Sequence, residues 1–343
     1  LDEVATKIAK LVSSDPARAV TLYETFLAAC YVKIEELDDS SGSFGQFLDD
    51  LYCGWIEARQ AGGTDPDETA SHLLNWMDQD DYGFCHRLEM DAVRVFDKAN
   101  LAAFVKRVRA RFDAAANKTA KTDDKLRDHP DYLRRRWGEV LRTLYAAQKD
   151  VAAYVALSEE TGLTAKGCHA IATLLVSKRK PEEALSWVER GFEVDKQSPQ
   201  GTMASHDLAK LKRDLLTKLG RGDEALYAAW SDYRDHPSAY TYVDLMKYVP
   251  KSQRLQWHEK AIEAAMGADL HSVMHLLLKT KELDRLAELV RRTRDVDLEA
   301  LSHYTTEPVA KKLEKPHPDL AARLWRAQGL RLSLIHISEP TRL

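Results

Sequence analysis

Glycine and proline are scarce in this chain, at 15 and 11 of 343 residues. Together they fall well below the ~12% of ordinary proteins. That shortage excludes a collagen-like chain and argues against a β-sandwich. Cysteine is rarer still. Cys30, Cys53, Cys85 and Cys168 form no C-x-x-C pair and no dense framework, which fits free thiols in a reducing, cytoplasmic compartment. Long apolar runs are also missing. The longest, Ala170–Val176, is interrupted by Thr173, whereas a membrane span needs roughly 20 apolar residues. Neither sign of charge dominates. A net charge of −4 and a pI near 6.3 exclude a whole-protein attraction for nucleic acid or an anionic membrane. G-x-S-x-G, H-E-x-x-H, Walker and G-x-G-x-x-G patterns do not occur, so no motif points to an enzyme class and no cofactor is expected.

What remains is a chain with 44% hydrophobic and 30% charged residues, enough apolar surface for a core and a composition that favours helices. Apolar residues recur at helical spacing. Val4, Ile8 and Leu11 open the pattern, and Val20, Tyr23, Leu27 and Cys30 continue it after an Asp15-Pro16 cap. Phe47, Leu48, Leu51 and Trp55 form the next stripe, which Gly62-Gly63 stops. Six of the seven tryptophans, Trp55, Trp76, Trp187, Trp230, Trp257 and Trp325, fall within such runs and read as core or groove lining.

An x-x-[D/E]-E-A-L core appears in Lys180–Trp187 and again in Arg221–Ala228, with Ala184 and Ala225 separated by 41 residues. Segments 281–288 and 317–322 echo it. The predicted fold class is therefore all-α, an irregular TPR-like α-solenoid of helix-turn-helix pairs. The expected organisation is N-terminal helical hairpins with acidic loops over 1–113, a polar connection at 114–131, and TPR-like repeats over 132–331. Residues 332–343 are set apart as a tail, because Leu332–Arg342 resembles translated sequencing-adapter read-through. With Leu1-Asp2-Glu3-Val4 reading as the middle of an open reading frame, the chain is expected to be a fragment.

Three clusters carry possible chemistry. Asp78, Asp80, Gly83 and Glu89 match the first, third, sixth and twelfth positions of a calcium loop, although Tyr82 stands where the fifth ligand belongs. Helix capping alone also explains an Asp and a Gly there. If successive helices run up, down and up, Asp38 and Asp39 join Asp78, Asp80 and Asp81 in one acidic rim for a cation or a basic partner. Arg134, Arg135 and Arg136, followed by Trp137, combine the cations and the ring of a phosphate-binding surface. Adjacent helical positions diverge by ~100°, however, so these three do not make one flat patch. Cys85-His86 and Cys168-His169 are poor zinc pairs for the same reason, and buried thiols are the better reading.

Glu35–Gly42, Asp80–Gly83, Glu183–Gly191 and Leu320–Gly329 carry a resemblance. On them the chain resembles the helical region of bacterial SWIM zinc-finger proteins and a related stand-alone family of uncharacterised helical proteins. Members with the finger carry C-x-C…C-x-H upstream, for DNA or protein binding. This sequence has no such pattern, so the resemblance transfers zinc or DNA binding to none of its residues. The expected function is a non-catalytic scaffold for an unidentified protein partner. Nucleic acid enters only through a finger upstream of Leu1. The remaining alternative is a divalent-cation sensor or enzyme that uses the acidic rim.

Overall fold

Local capping chemistry starts many of the helices. Asp15 accepts the Arg18 N–H ahead of Pro16, and Asp65 accepts the Glu68 N–H ahead of Pro66. Asp150, Thr164 and Asp269 do the same for later helices, each satisfying an N–H that the helix leaves without a partner. The computed structural model describes residues 2–33, 36, 42–117, 129–197 and 204–338. Over these residues the protein is all-α, and no strand occurs among them. The chain divides into two compact units, residues 1–202 and 203–343.

The first unit contains α1 (Asp2–Leu11), α2 (Pro16–Lys33), α3 (Ser43–Ala61), α4 (Pro66–Gln79), α5 (Leu88–Val95), α6 (Lys98–Asn117), α7 (Pro130–Ala147), α8 (Val151–Glu160), α9 (Ala165–Ser177) and α10 (Pro181–Lys196). Neighbours in sequence pair as α2 with α3, α6 with α7, and α9 with α10, while α4 crosses to α6 and α5 to α7. The centre of α2–α4 is aromatic. Trp55 and Trp76 meet edge to face at 4.6 Å, and the Trp55 indole N–H donates to Glu24 at 2.9 Å. Gly54 is required here, because a Cβ at that position would collide with the Tyr23 ring. Aromatic side chains supply much buried area but need space and a partner for each polar edge, which Gly54 and Glu24 provide.

The second unit contains α11 (Ala204–Lys218), α12 (Gly222–Asp235), α13 (Ala239–Tyr248), α14 (Arg254–Ala265), α15 (Leu270–Thr280), α16 (Leu283–Arg292), α17 (Asp295–Ala300), α18 (His303–Leu313) and α19 (Pro318–Ser338), with a short 3-10 turn at Lys251–Gln253. One largely aliphatic core runs from Leu226 to Ala327. Arg213 departs from the apolar repeat pattern yet is 2% exposed. Its guanidinium pairs with Asp232 on α12 and, at 2.5 Å, with Asp244 on α13. It thereby ties three helices with one side chain.

The repeat is written in the backbone more clearly than in the side chains. Between α7 and α8, α9 and α10, α11 and α12, and α15 and α16, one residue takes positive φ: Lys149, Arg179, Gly220 and Lys281. At each of these turns, that residue's N–H bonds to the carbonyl three back. The following N–H reaches the carbonyl five back: Asp150 to Tyr145, Lys180 to Leu175, Arg221 to Leu216, Glu282 to Leu277. This is a Schellman closure, which satisfies carbonyls that a helix end leaves open. Five residues after each left-handed residue come Tyr154, Ala184, Ala225 and Leu286, all buried. The 281–288 echo therefore shares the turn, and 150–157 is a further copy that the sequence comparison does not reveal. Segment 317–322 is entered differently, through the His317 N–H to the Leu313 carbonyl, and has no positive-φ residue.

The compact units do not coincide with the expected segments. Segment 114–131 does not separate compact units, because α6 and α7 pack against each other across it; the division falls at 202/203. Ala114–Asn117 belong to α6, and 118–128 lie outside the described residues. The expected boundary at 332 falls inside α19. Among the described residues no helix is long and apolar enough to cross a membrane.

Candidate functional site

A cleft of about 1230 Å³ opens in the first unit between the α4–α5 loop, α7 and α9. Its walls follow from helical periodicity. Tyr132, Arg136, Glu139, Thr143 and Ala146 form one stripe of α7 that faces the cleft. Trp137, Val140, Leu141 and Leu144 on the same helix are buried. On α9, Lys166, His169, Ala170 and Thr173 face the cleft, while Cys168, Ile171, Ala172 and Leu175 are buried. Two amphipathic helices thus turn their polar stripes to one space, each being the first helix of a Schellman-linked hairpin.

The third wall is the loop 80–87, and Asp80 builds it. Its carboxylate accepts the N–H groups of Phe84 at 2.9 Å and Cys85 at 2.7 Å, and Gly83 supplies the positive φ that the reversal needs. Cys85 is thereby placed in the core near the Tyr31 and Tyr52 hydroxyls, which lie 2.8 Å apart, and burial pushes its thiol up to about 12. His86 turns outward beside the Gly83 carbonyl at 3.1 Å. Asp78 pairs with Arg111 of α6 at 2.8 Å; burial raises its carboxyl above the usual range against the pull of Arg111 and Arg136. Glu89, half-buried in the cleft wall, is likewise raised by desolvation, opposed by its own backbone N–H, His86 and Arg136.

These contacts revise the predicted clusters. The calcium-loop alignment does not become a site: Asp78 is drawn to Arg111, Asp80 is occupied by its own loop, and Glu89 lies on α5. Among the described residues no group of three or more His, Cys, Asp or Glu could hold a metal ion. The acidic rim also changes, since Asp78 and Asp80 are engaged internally; Asp81 is exposed with interactions of its own, and Asp38 and Asp39 lie outside the described residues. The arginines diverge as helical spacing requires. Arg134 reaches the Glu160 carbonyl at 3.3 Å, Arg135 lies over Tyr132, and Arg136 donates to the Met77 carbonyl across the cleft floor. Their three separate partners agree with the divergence expected from helical spacing. In the two Cys-His pairs, both cysteines are buried while His86 and His169 line the cleft.

Sequence reasoning found Asp78, Asp80, Glu89 and Arg136 but assigned them to other chemistry. It missed Glu139, Thr143, Lys166, His169 and Thr173. Their signal was present as the polar complement of the apolar stripes on α7 and α9.

The fold and the cleft define the class: an all-α protein of Schellman-linked helical hairpins with an open, mixed-charge groove. More particularly, the chain belongs to the family of unknown function DUF6880, whose model matches residues 2–336. No curated protein matches the chain.

Proposed function

We propose that this chain is a non-catalytic, solenoid-like scaffold that holds a protein partner in the cleft of its first unit. The observation that carries the reading is the composition of that cleft. Its two long walls are consecutive first helices of hairpins, and they present Glu139, Thr143, Lys166, His169 and Thr173 to the cleft. Stacked helix pairs offer extended surfaces of this kind, suited to a peptide segment or a helix rather than to one small substrate. The charges are of both signs and spread along the walls, which favours a partner with alternating charge over a polyanion.

The test places a photo-crosslinking residue at Thr173, in the cleft, or at Ser186, on the exposed face of α10, and expresses each protein in the source cells. A protein that crosslinks from 173 but not from 186, and is lost when Lys166→Glu and Glu139→Lys are combined, supports the reading. Equal crosslinking from both positions, or capture that survives the double charge reversal, rejects it.

A further inference from the structure

Lys260 on α14 ends between two rings rather than beside a carboxylate. Its Nζ lies 4.3 Å from the ring centroid of Trp230 on α12 and 4.3 Å from that of Trp257 on its own helix. The two indoles meet edge to face, with centroids 5.4 Å apart at an interplanar angle of 75°. They form a corner whose two sides converge on one point, and the ammonium marks it. A cation over an aromatic face is attracted by the ring quadrupole. Charged neighbours do not account for the position: Glu259 is drawn to Arg285 at 2.5 Å, and among the described residues no ion pair includes Lys260.

The corner is held on its inner side and open on its outer one. Trp230 and Trp257 pack against the core of the second unit. Trp230 also stacks on the fully buried Tyr233 at 5.8 Å, and the Trp257 indole N–H donates to Gln253 at 3.2 Å. Both tryptophans remain partly accessible and Lys260 is exposed. Its flexible four-carbon stem lets the ammonium swing out, and another cation then reaches the rings from solvent. An occupant without N–H groups has the advantage there. The lysine ammonium is strongly hydrated and carries three donors, which ring faces satisfy less well than water. A quaternary ammonium has no donor to leave unpaired and gains the same attraction.

We propose that Trp230 and Trp257 form a binding site for a quaternary ammonium head group, which Lys260 fills as an internal stand-in when no ligand is bound. The occupant is defined by its chemistry: a compact, permanently charged, weakly hydrated cation, such as the end group of choline or of a trimethylated lysine. A neutral group of the same size lacks the electrostatic attraction. Lys260 competes with the ligand, so it lowers the apparent affinity in proportion to its occupancy of the corner. The site belongs wholly to the second unit and does not rest on the proposed role of the cleft.

The test is fluorine NMR of the full chain labelled with fluorotryptophan, titrated with tetramethylammonium chloride at constant ionic strength. Trp230→Phe and Trp257→Phe assign the two signals among the seven tryptophans. The expected result is a saturable shift of these two signals alone, at least about threefold tighter in Lys260→Gln, where the competitor is gone. Trp257→Leu should abolish saturation at Trp230, and neutral neopentyl alcohol should give no saturable shift. Lys260 is exposed, so Lys260→Gln keeps the test decisive if Trp257→Leu misfolds. Choline and acetyl-trimethyl-lysine amide, titrated in the same way, separate a small-molecule source from a modified protein side chain by which binds more tightly. No saturable shift in Lys260→Gln, affinity no tighter there than in the parent, or an equal response to neopentyl alcohol overturns the proposal.

Discussion

The two units use the same hairpin turn for different ends. In the first, α7 and α9 open their Schellman-closed hairpins with polar stripes left facing a cleft. Polar side chains there hold the 80–87 loop through Asp80, and at the cleft's edge Arg111 and Arg136 reach the end of α4. In the second unit, polar groups hold helices to one another through the interior. Arg213 joins α11, α12 and α13, and His258 bridges the Tyr242 hydroxyl at 2.7 Å to Glu282 at 3.0 Å. The turn sets how a hairpin closes. Whether a helix's second face is open or covered depends on the next side chains to reach it.

The largest effect expected from breaking this contrast is at Arg213. Removing Arg213 takes away a buried guanidinium and its two carboxylate contacts, but Asp232 is 44% exposed and Asp244 keeps Lys247 at 3.0 Å, so the cost is about 1–3 kcal/mol. Arg213→Ala should lose roughly that much stability, seen by native-state hydrogen exchange as faster exchange throughout α11–α13. Amides of α2–α4 should keep their protection, because their core is separate; equal loss in both units would dissolve the division between them.

A smaller change sharpens what the units share. A non-glycine residue in the left-handed region costs roughly 1–2 kcal/mol, and Arg179 occupies in the first unit the place that Gly220 holds in the second. Arg179→Gly should stabilise by up to about 1 kcal/mol and Gly220→Ala should destabilise by a similar amount, read as opposite shifts of the urea midpoint. Shifts of the same sign would show that the turns are not equivalent.

The subtlest test concerns the cleft wall. Burial holds the Glu89 carboxyl above its usual value of 4.5, so the folded protein takes up this proton more readily than the unfolded chain. Its contribution to stability is fully present below pH 4.5 and is lost as pH rises through the folded value. Glu89→Gln should therefore flatten that part of the stability–pH curve and raise stability relative to the parent at neutral pH, with the difference shrinking in acid. Parallel curves would mean that the carboxyl is fully solvated.

Much of the fold was legible in advance. Alternation of apolar residues at helical spacing, Asp-Pro and Asp caps, and the Gly62-Gly63 stop depend on interactions within a few residues, and they placed α2, α3 and α4 well. The echo of Ala184 in Ala225 falls on two hairpins that share one turn geometry, although the better signature of that turn was a backbone conformation that Lys149, Arg179 and Lys281 adopt without the glycine that usually announces it. The candidate sites fared differently. Reading Asp78, Asp80 and Glu89 as ligands presumed free carboxylates, whereas Arg111, from a helix over thirty positions away, and the N–H groups of Phe84 and Cys85 had already engaged two of them.

The sequence by itself determined that this protein is helical, where many of its helices begin, and which face of each helix is apolar, because those properties follow from bonding and side-chain spacing along one turn. The tertiary structure alone decided that the polar faces of α7 and α9 share a cleft, that Arg213 is a buried tie rather than a surface charge, and that Trp230 meets Trp257 and Lys260. Those pairings join residues distant in sequence, and only packing settles which of the many possible partners each polar group meets.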